Sequence, residues 1–366
     1  MKLWRLLWAL LHNSAYKKVI TTEGTENTEC LFFSVFSVPS VVIFSLLLCT
    51  SFMLFSAPPI VFIHLGSKLP PYVPTAIANA RLFNPDSPIY LVANSVALLP
   101  FSRTLKPMGV SCIAHETLGQ SALHAAFIDR SRPYRIYREP FWRYSLERFF
   151  VLYDLMQEHK LTDVIHLEND VMLYCELDEL MPCFQAHYQN KIGATFDNDG
   201  RCIAGFVYIA TQPPLAALLE FINHQLRTQT YDMFYLAEFR RNHGGVHIDN
   251  LPIVSSFYAN EHELITPQGH RAVDAAPYFR HFAQFNSIFD AAALGQYLGG
   301  IDPIHGASQP GFINESCVFN PAAFQYEWVS DARGRRVPYL NDQGRKCRIN
   351  NLHIHSKNLQ PFRSSP

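Results

Sequence analysis

Apolar and polar positions alternate along this chain in two rhythms. Ile60-Val61-Phe62-Ile63 is an unbroken apolar run, followed by His64 and stopped by Gly66, as expected of a strand covered on both faces. Residues 74–83 then carry Ala, Ile and Leu at helical spacing, and the Asn84-Pro85-Asp86 turn closes that helix. The same reading predicts strands over 89–92, 110–114, 164–167, 192–195 and 206–209, and helices over 145–159, 177–187, 213–225 and 232–242. In the helix from 145, Leu146, Phe149, Phe150, Leu152, Tyr153 and Met156 form a broad apolar face. Residues 130–143, rich in Arg, Tyr and Pro, read as a surface loop. Strands and helices alternating at this spacing predict an α/β fold, a doubly wound and mostly parallel sheet flanked by helices. No repeat or low-complexity linker divides 57–366, so a single domain is expected there.

The first 52 residues do not fit this rhythm. No charge occurs between Glu29 and His64, and 31–56 is apolar enough to span a bilayer, with Lys17 and Lys18 before it favouring an N-in signal anchor. Two features oppose a genuine anchor. Ala57-Pro58-Pro59 leaves almost no stem between the lipid surface and the first core strand. Residues 21–29 (TTEGTENTE) and 34–42 (SVFSVPSVV) are also related through the genetic code. Written ACC ACG GAA GGC ACG GAA AAC ACG GAA, the first yields the second when its reverse complement is read one base out of frame. The expectation is that 21–42 translates a DNA inverted repeat and that 1–52 is a non-native or mis-called extension, with a natural start at Met53 and a cytoplasmic protein. The alternative is a single-pass membrane protein, and the membrane is a partner only in that case.

Composition narrows the function classes. With 48% hydrophobic and 17% charged residues, the 366-residue chain can bury a sizeable core. A net charge of −1 without a basic block argues against non-specific nucleic-acid binding, which needs clustered Lys and Arg. Eight Cys without a C-x-x-C pair read as free thiols rather than as a zinc or disulfide framework.

The chemistry concentrates in Asp163-Val-Ile-His-Leu-Glu-Asn-Asp-Val-Met-Leu-Tyr174. A buried strand delivers Glu168 and Asp170 to the carboxyl edge of a parallel sheet, where open α/β folds place ligands. At a period of two, both carboxylates point one way and Asn169 the other. Such hard oxygens suit Mg2+ or Mn2+, which in turn binds a diphosphate. The plainer alternative is a pair of acids capping the next turn. Apolar residues on both sides favour a site, because isolated burial of charge is costly.

On these residues the chain resembles nucleotide-sugar glycosyltransferases of the GT-A fold. Glu168-Asn169-Asp170 resembles their D-x-D metal motif with Glu in the first place. Val61 to Gly66 resembles the nucleotide-binding opening, and Trp142 to Phe150 the helix before the metal strand. Phe196 to Phe206 resembles the stretch lining the sugar pocket, followed by an edge strand, and Leu352-His-Ile-His-Ser-Lys-Asn358 the C-terminal His segment. The resemblance implies a sugar transferred from a nucleotide-diphosphate donor to a carbohydrate, lipid or protein acceptor. It implies metal ligation by Glu168, Asp170, His353 and His355, and donor contacts from His64, Gly66, Arg148, Asn169 and Lys357. Asp197, Asp199 and Gly205 would line the sugar or acceptor pocket. An inverting transferase also needs a carboxylate base, for which Asp249 and Asp290 are candidates, each equally readable as a cap or turn residue.

Other signals are set aside. Asp197-Asn-Asp-Gly200 lacks the later Glu of a calcium loop, and His243-Gly-Gly-Val-His247 has two Gly where a zinc-binding helix is required. Asn314-Glu-Ser316 is a glycosylation sequon, relevant to a secreted domain. The rival functions are a nucleotidyltransferase or phosphoesterase using the same metal chemistry, and a non-catalytic, membrane-anchored binding module. For the N-terminal segment, the gene is expected to pair codons 21–42 as a stem; a coding sequence without that complementarity overturns the Met53 start.

Overall fold

The apolar runs become the middle of a seven-stranded sheet. In the computed structural model, residues 57–131, 141–226, 231–304, 306 and 308–365 are described. The apolar stretch 31–56, Met53 and the paired lysines lie outside them, as do residues 132–140. The strands are β1 (Ile60–His64), β2 (Ile89–Ala93), β3 (Val110–Ala114), β4 (Val164–Leu167), β5 (Val171–Leu173), β6 (Ile192–Asn198), β7 (Arg201–Ile209) and β8 (Ile248–Asn250). The later ones are β9 (Ser287–Ile288), β10 (Gln325–Ser330), β11 (Arg336–Asp342), β12 (Arg345–Ile349) and β13 (Asn351–His353). The principal helices are α1 (Val73–Phe83), α2 (Ala122–Ser131), α3 (Phe141–Glu158), α4 (Leu177–His187), α5 (Gln212–Gln225), α6 (Asp232–His243) and α7 (Ala293–Gly299).

The main sheet runs β3-β2-β1-β4-β7-β6-β8. Neighbours pair in parallel except that β7 opposes both β4 and β6. β1 occupies an inner position because it carries no polar face: Ile60, Val61 and Phe62 are fully buried. β7, read from the sequence as an edge strand, lies inside the sheet instead. Its fully buried run Phe206-Val-Tyr-Ile209 is explained by that position. β10, β11 and β12 form an antiparallel meander extended by β9, and β13 pairs antiparallel with β5.

α3 packs its apolar face into the core, with Phe149, Phe150, Leu152, Leu155 and Met156 at 1% exposure or less. It begins at Phe141, so the end of the expected 130–143 loop is helical, and Arg130 and Ser131 close α2. α6 stops where Gly244 takes a left-handed φ of 57°, its N–H returning to Arg240. The described residues belong to one compact unit, Ser56–Pro366. Among them no helix is long and apolar enough to cross a membrane, and Cys112, Cys175, Cys183, Cys202, Cys317 and Cys347 are free thiols. Asn314 of the sequon is 5% exposed and donates to Asp197 Oδ2 at 3.3 Å, so its amide is not presented for modification.

His281, in a left-handed conformation with φ 63°, stacks on His187 at the end of α4 with ring centroids 4.0 Å apart. Burial, and then the neighbouring His187, push its pKa down to about 4. Unfolded, the imidazole takes a proton near 6.5, so between about 6.5 and about 4 the unfolded chain binds a proton that the folded one refuses. Stability therefore falls as the pH drops through that window. His281→Asn, which tolerates the same backbone, should show a shallower loss in urea unfolding between pH 6.5 and 4.5; an unchanged slope contradicts this assignment.

Candidate metal and donor site

The carboxyl ends of β1, β2, β3 and β4 share one edge of the sheet, and the site is built there. β4 ends at Leu167, so Glu168, Asn169 and Asp170 do not continue a strand. They form a tight turn, closed by Val171 N–H donating to Glu168 O at 3.1 Å. The alternation expected of a strand is thus replaced by a turn that still sends both carboxylates one way. Asn169 goes the other, donating to Ile63 O at 3.1 Å and lying 3.4 Å from His64 Nδ1. His64 Nε2–H donates to Lys68 O at 2.8 Å, and Gly66 N–H to Asn94 Oδ1 at 2.8 Å. Asn94 in turn donates to Glu116 Oε1 at 3.1 Å, joining the ends of β2 and β3.

The C-terminal segment reaches this edge through β13. His353 pairs with Val171 in the β13–β5 ladder, which sets its imidazole beside both acids. His353 Nε2 is 3.1 Å from Glu168 Oε2 and 3.2 Å from Asp170 Oδ2. Lys357 donates its ammonium to the same Asp170 oxygen. On the other side Arg148 from α3 bridges Glu168 and Asp232, meeting Asp232 Oδ2 at 2.6 Å. Burial alone would raise both carboxyls, yet both stay ionised. Arg148 and then His353 hold Glu168 below the usual range; His353 and then Lys357 hold Asp170 well below it. Burial would lower the His353 pKa, but Asp170 and then Glu168 lift it to about 9.

Two glycines make room for His353. A Cβ on Gly205 would stand 2.9 Å from its Nδ1, and one on Gly295 would overlap its carbonyl. Asp290 lies below, fully buried, with its carboxylate taking backbone N–H groups from Leu294 at 2.9 Å, Gly295 at 2.8 Å and His353 at 2.9 Å. That geometry fits a clamp on the His353 strand; no lone pair of Asp290 is directed at an open face. Asp249, on β8, meets Arg280 at 3.0 Å and Lys191 at 3.5 Å and makes no contact with the cluster.

The remaining expected residues lie elsewhere. His355 follows the end of β13, so it does not share a strand face with His353. It accepts from Asp302 N–H at 3.1 Å, and burial lowers its pKa to about 4. Asp197 is fully buried at the β6–β7 hairpin and paired with Arg201 at 2.5 Å. Asp199 accepts from Tyr278 Oη at 2.6 Å and Val273 N–H at 2.8 Å. With Thr266, Gln268, His270 and Ser316 it borders a polar recess of about 220 Å³.

Sequence reasoning missed Asp232 and Tyr72. An isolated acid at a helix start carries no signal that it will hold Arg148. Tyr72, whose phenol burial and then Asp170 keep protonated, sits in Pro70-Pro-Tyr-Val-Pro74 directly after the β1 loop; that clustering was the available clue.

The donor set fits a divalent cation. Ligand atoms of Glu168, Asp170 and His353 all lie within 4.8 Å of one another. The His353 distances also match the separation of about 3 Å between neighbouring ligands in an octahedron with bonds of about 2.1 Å.

A seven-stranded, mostly parallel sheet flanked by helices, with an acid-rich turn at its carboxyl edge, is the α/β architecture expected from the sequence. Among solved structures the chain is similar to mouse xyloside xylosyltransferase 1, at 11% identity over 61% of this chain and 93% of that one, with a TM-score of 0.40. It is similar also to the PaToxG glycosyltransferase (11% identity, 57% and 78% covered, TM-score 0.38). A third is a cytidylyltransferase from Leptospira borgpetersenii serovar Hardjo-bovis (12% identity, 54% and 76% covered, TM-score 0.34). At such scores these likenesses establish neither an activity nor a substrate for the present chain. No family model matches it, and no curated protein does.

Since a Gly205 methyl would press on the imidazole, Gly205→Ala should cost about 1–3 kcal/mol of stability and weaken Mn2+ binding at least tenfold. Urea unfolding and calorimetric Mn2+ titration check both; native Mn2+ affinity in the variant contradicts the placement of His353.

Proposed function

We propose that this chain is a metal-dependent glycosyltransferase, moving a sugar from a nucleoside-diphosphate donor to a carbohydrate, lipid or protein acceptor. One observation carries the reading: buried Asp170 and His353 and half-buried Glu168 and Lys357 converge at the carboxyl edge of a parallel sheet. Glu168, Asp170 and His353 would hold Mn2+ or Mg2+, which when bound supplies positive charge for a diphosphate.

In the transfer, the bond between the sugar's anomeric carbon and the diphosphate breaks, a bond to an acceptor hydroxyl forms, and the acceptor proton leaves. Negative charge grows on the departing diphosphate. Lys357, whose side chain is 31% exposed and whose ammonium meets Asp170, would take up part of that charge. Arg148 is already engaged by two carboxylates, which supports a positioning role: it fixes the Glu168 rotamer and offsets its charge. Asp290 orients His353 through the backbone. Gly66, His64 and Asn169 lie along the adjoining β1 edge, where the donor's nucleotide would rest. Asp199 and its polar recess suit a hydroxyl-rich acceptor.

Asp170→Ala should abolish Mn2+-dependent release of nucleoside diphosphate from a nucleotide-sugar panel, by at least a hundredfold, while far-UV circular dichroism stays native. Full turnover in that variant removes the site assignment, and release of pyrophosphate instead would identify a nucleotidyltransferase.

A further inference from the structure

A second convergence of metal-type ligands lies away from these residues, where β3, α2 and α3 meet. His115 follows β3, His124 sits on α2 at 2% exposure, and Glu147 and Asp154 lie on α3 at 5% and 3%. Asp154 is fixed from its own side, since Ser121 N–H donates to its Oδ1 at 3.1 Å. Its Oδ2 faces His124 Nδ1 at 2.6 Å, which places the imidazole proton on Nδ1. The other nitrogen, Nε2, is turned toward Glu147 and, in the metal-free chain, carries a proton that a bound cation would displace. That atom is buried and lacks a hydrogen-bond partner.

What Nε2 faces is Glu147 Oε1, 3.6 Å away. Positive charge belongs between these two atoms, and either a proton on Nε2 or a metal cation supplies it. The gap is too long for a good hydrogen bond. It matches instead two ligands on one tetrahedral cation, which stand about 3.4 Å apart when each bond is about 2.1 Å. Arg143 Nε engages the other Glu147 oxygen, Oε2, at 3.2 Å and leaves Oε1 to this site. His115 brings a third ligand: one atom each from His115, His124 and Glu147 lie within 4.8 Å of one another.

We propose that His115, His124 and Glu147 bind a divalent transition-metal ion, with Zn2+ the best chemical match and Asp154 orienting His124 behind it. Two imidazoles and a carboxylate are a Zn2+ donor set, and a carboxylate on the far ring nitrogen is the usual support of a metal-bound histidine. Such an ion ties the end of β3 to α2 and α3, and α3 carries Arg148 one residue beyond Glu147. The site stands independently of the transferase reading.

Co2+ serves as probe. The full chain carrying Asp170→Ala, stripped with EDTA and dialysed against Co2+, should retain a single ion with the strong visible bands of low coordination. Adding His115→Ala, a part-exposed position that circular dichroism should report as folded, should abolish those bands and lower the affinity at least tenfold. Asp154→Asn should weaken binding about 10–100-fold. Should Asp170→Ala fail to fold, His115→Ala in the otherwise native chain must lower the Co2+ stoichiometry by one ion. No retained Co2+ in the folded Asp170→Ala chain overturns the site and leaves a proton shared by His124 and Glu147. Equal binding with and without His115 overturns it as well.

Discussion

Two carboxylates placed side by side out of water are the constraint around which this molecule is arranged. Glu168 and Asp170 repel each other, and burial strengthens that repulsion as it strips away hydration. Both remain ionised because cations reach them from separate parts of the chain: Arg148 from α3, Lys357 and His353 from the C-terminal segment. Asp232 then balances Arg148. Replacing any one member leaves a buried charge uncompensated, which is why the helix before β4 and the segment after β12 are bound to the same turn.

The supporting architecture is mostly about holding His353. Its backbone is gripped by Asp290 and paired with Val171, and its ring rests on Gly205. Gly295 lets α7 approach the His353 carbonyl more closely than any side chain would allow. Asp290, read from sequence among possible bases, is occupied by this grip. A buried acid with three amide donors is as costly to misplace as a reacting one, and sequence alone does not separate the two.

Legibility followed how local each signal was. β1, β4 and α4 run over the expected residues, because buried strands and an amphipathic helix write their period into consecutive positions, and β3 does so too although it is a part-exposed edge strand. The inner place of β7 was missed because strand order is a long-range property, invisible in the apolar run itself. β9 to β12 were missed because they are short, or half-exposed with mixed polarity, as Gln325–Ser330 illustrates. The acid pair was visible from its apolar flanks; its turn geometry was not, since a triplet of polar residues reads equally well as strand or turn. His353 and His355 were indistinguishable by type; β13 ends at His353, and it is His353 that lies against the acids.

Pairing β13 with β5 joins residues far apart in the chain: His353 and Asp170 are separated by 183 positions, Lys357 and Asp170 by 187. During synthesis β1 to β4 are made long before those partners leave the ribosome. Until then the acid turn stands without its closing cations, and its mutual repulsion keeps that rim loose. Ring closure over such a span adds little entropy cost per further residue, so the delay is one of order rather than of difficulty. A nascent chain is thereby kept from assembling the cluster until His353 and Lys357 have been made.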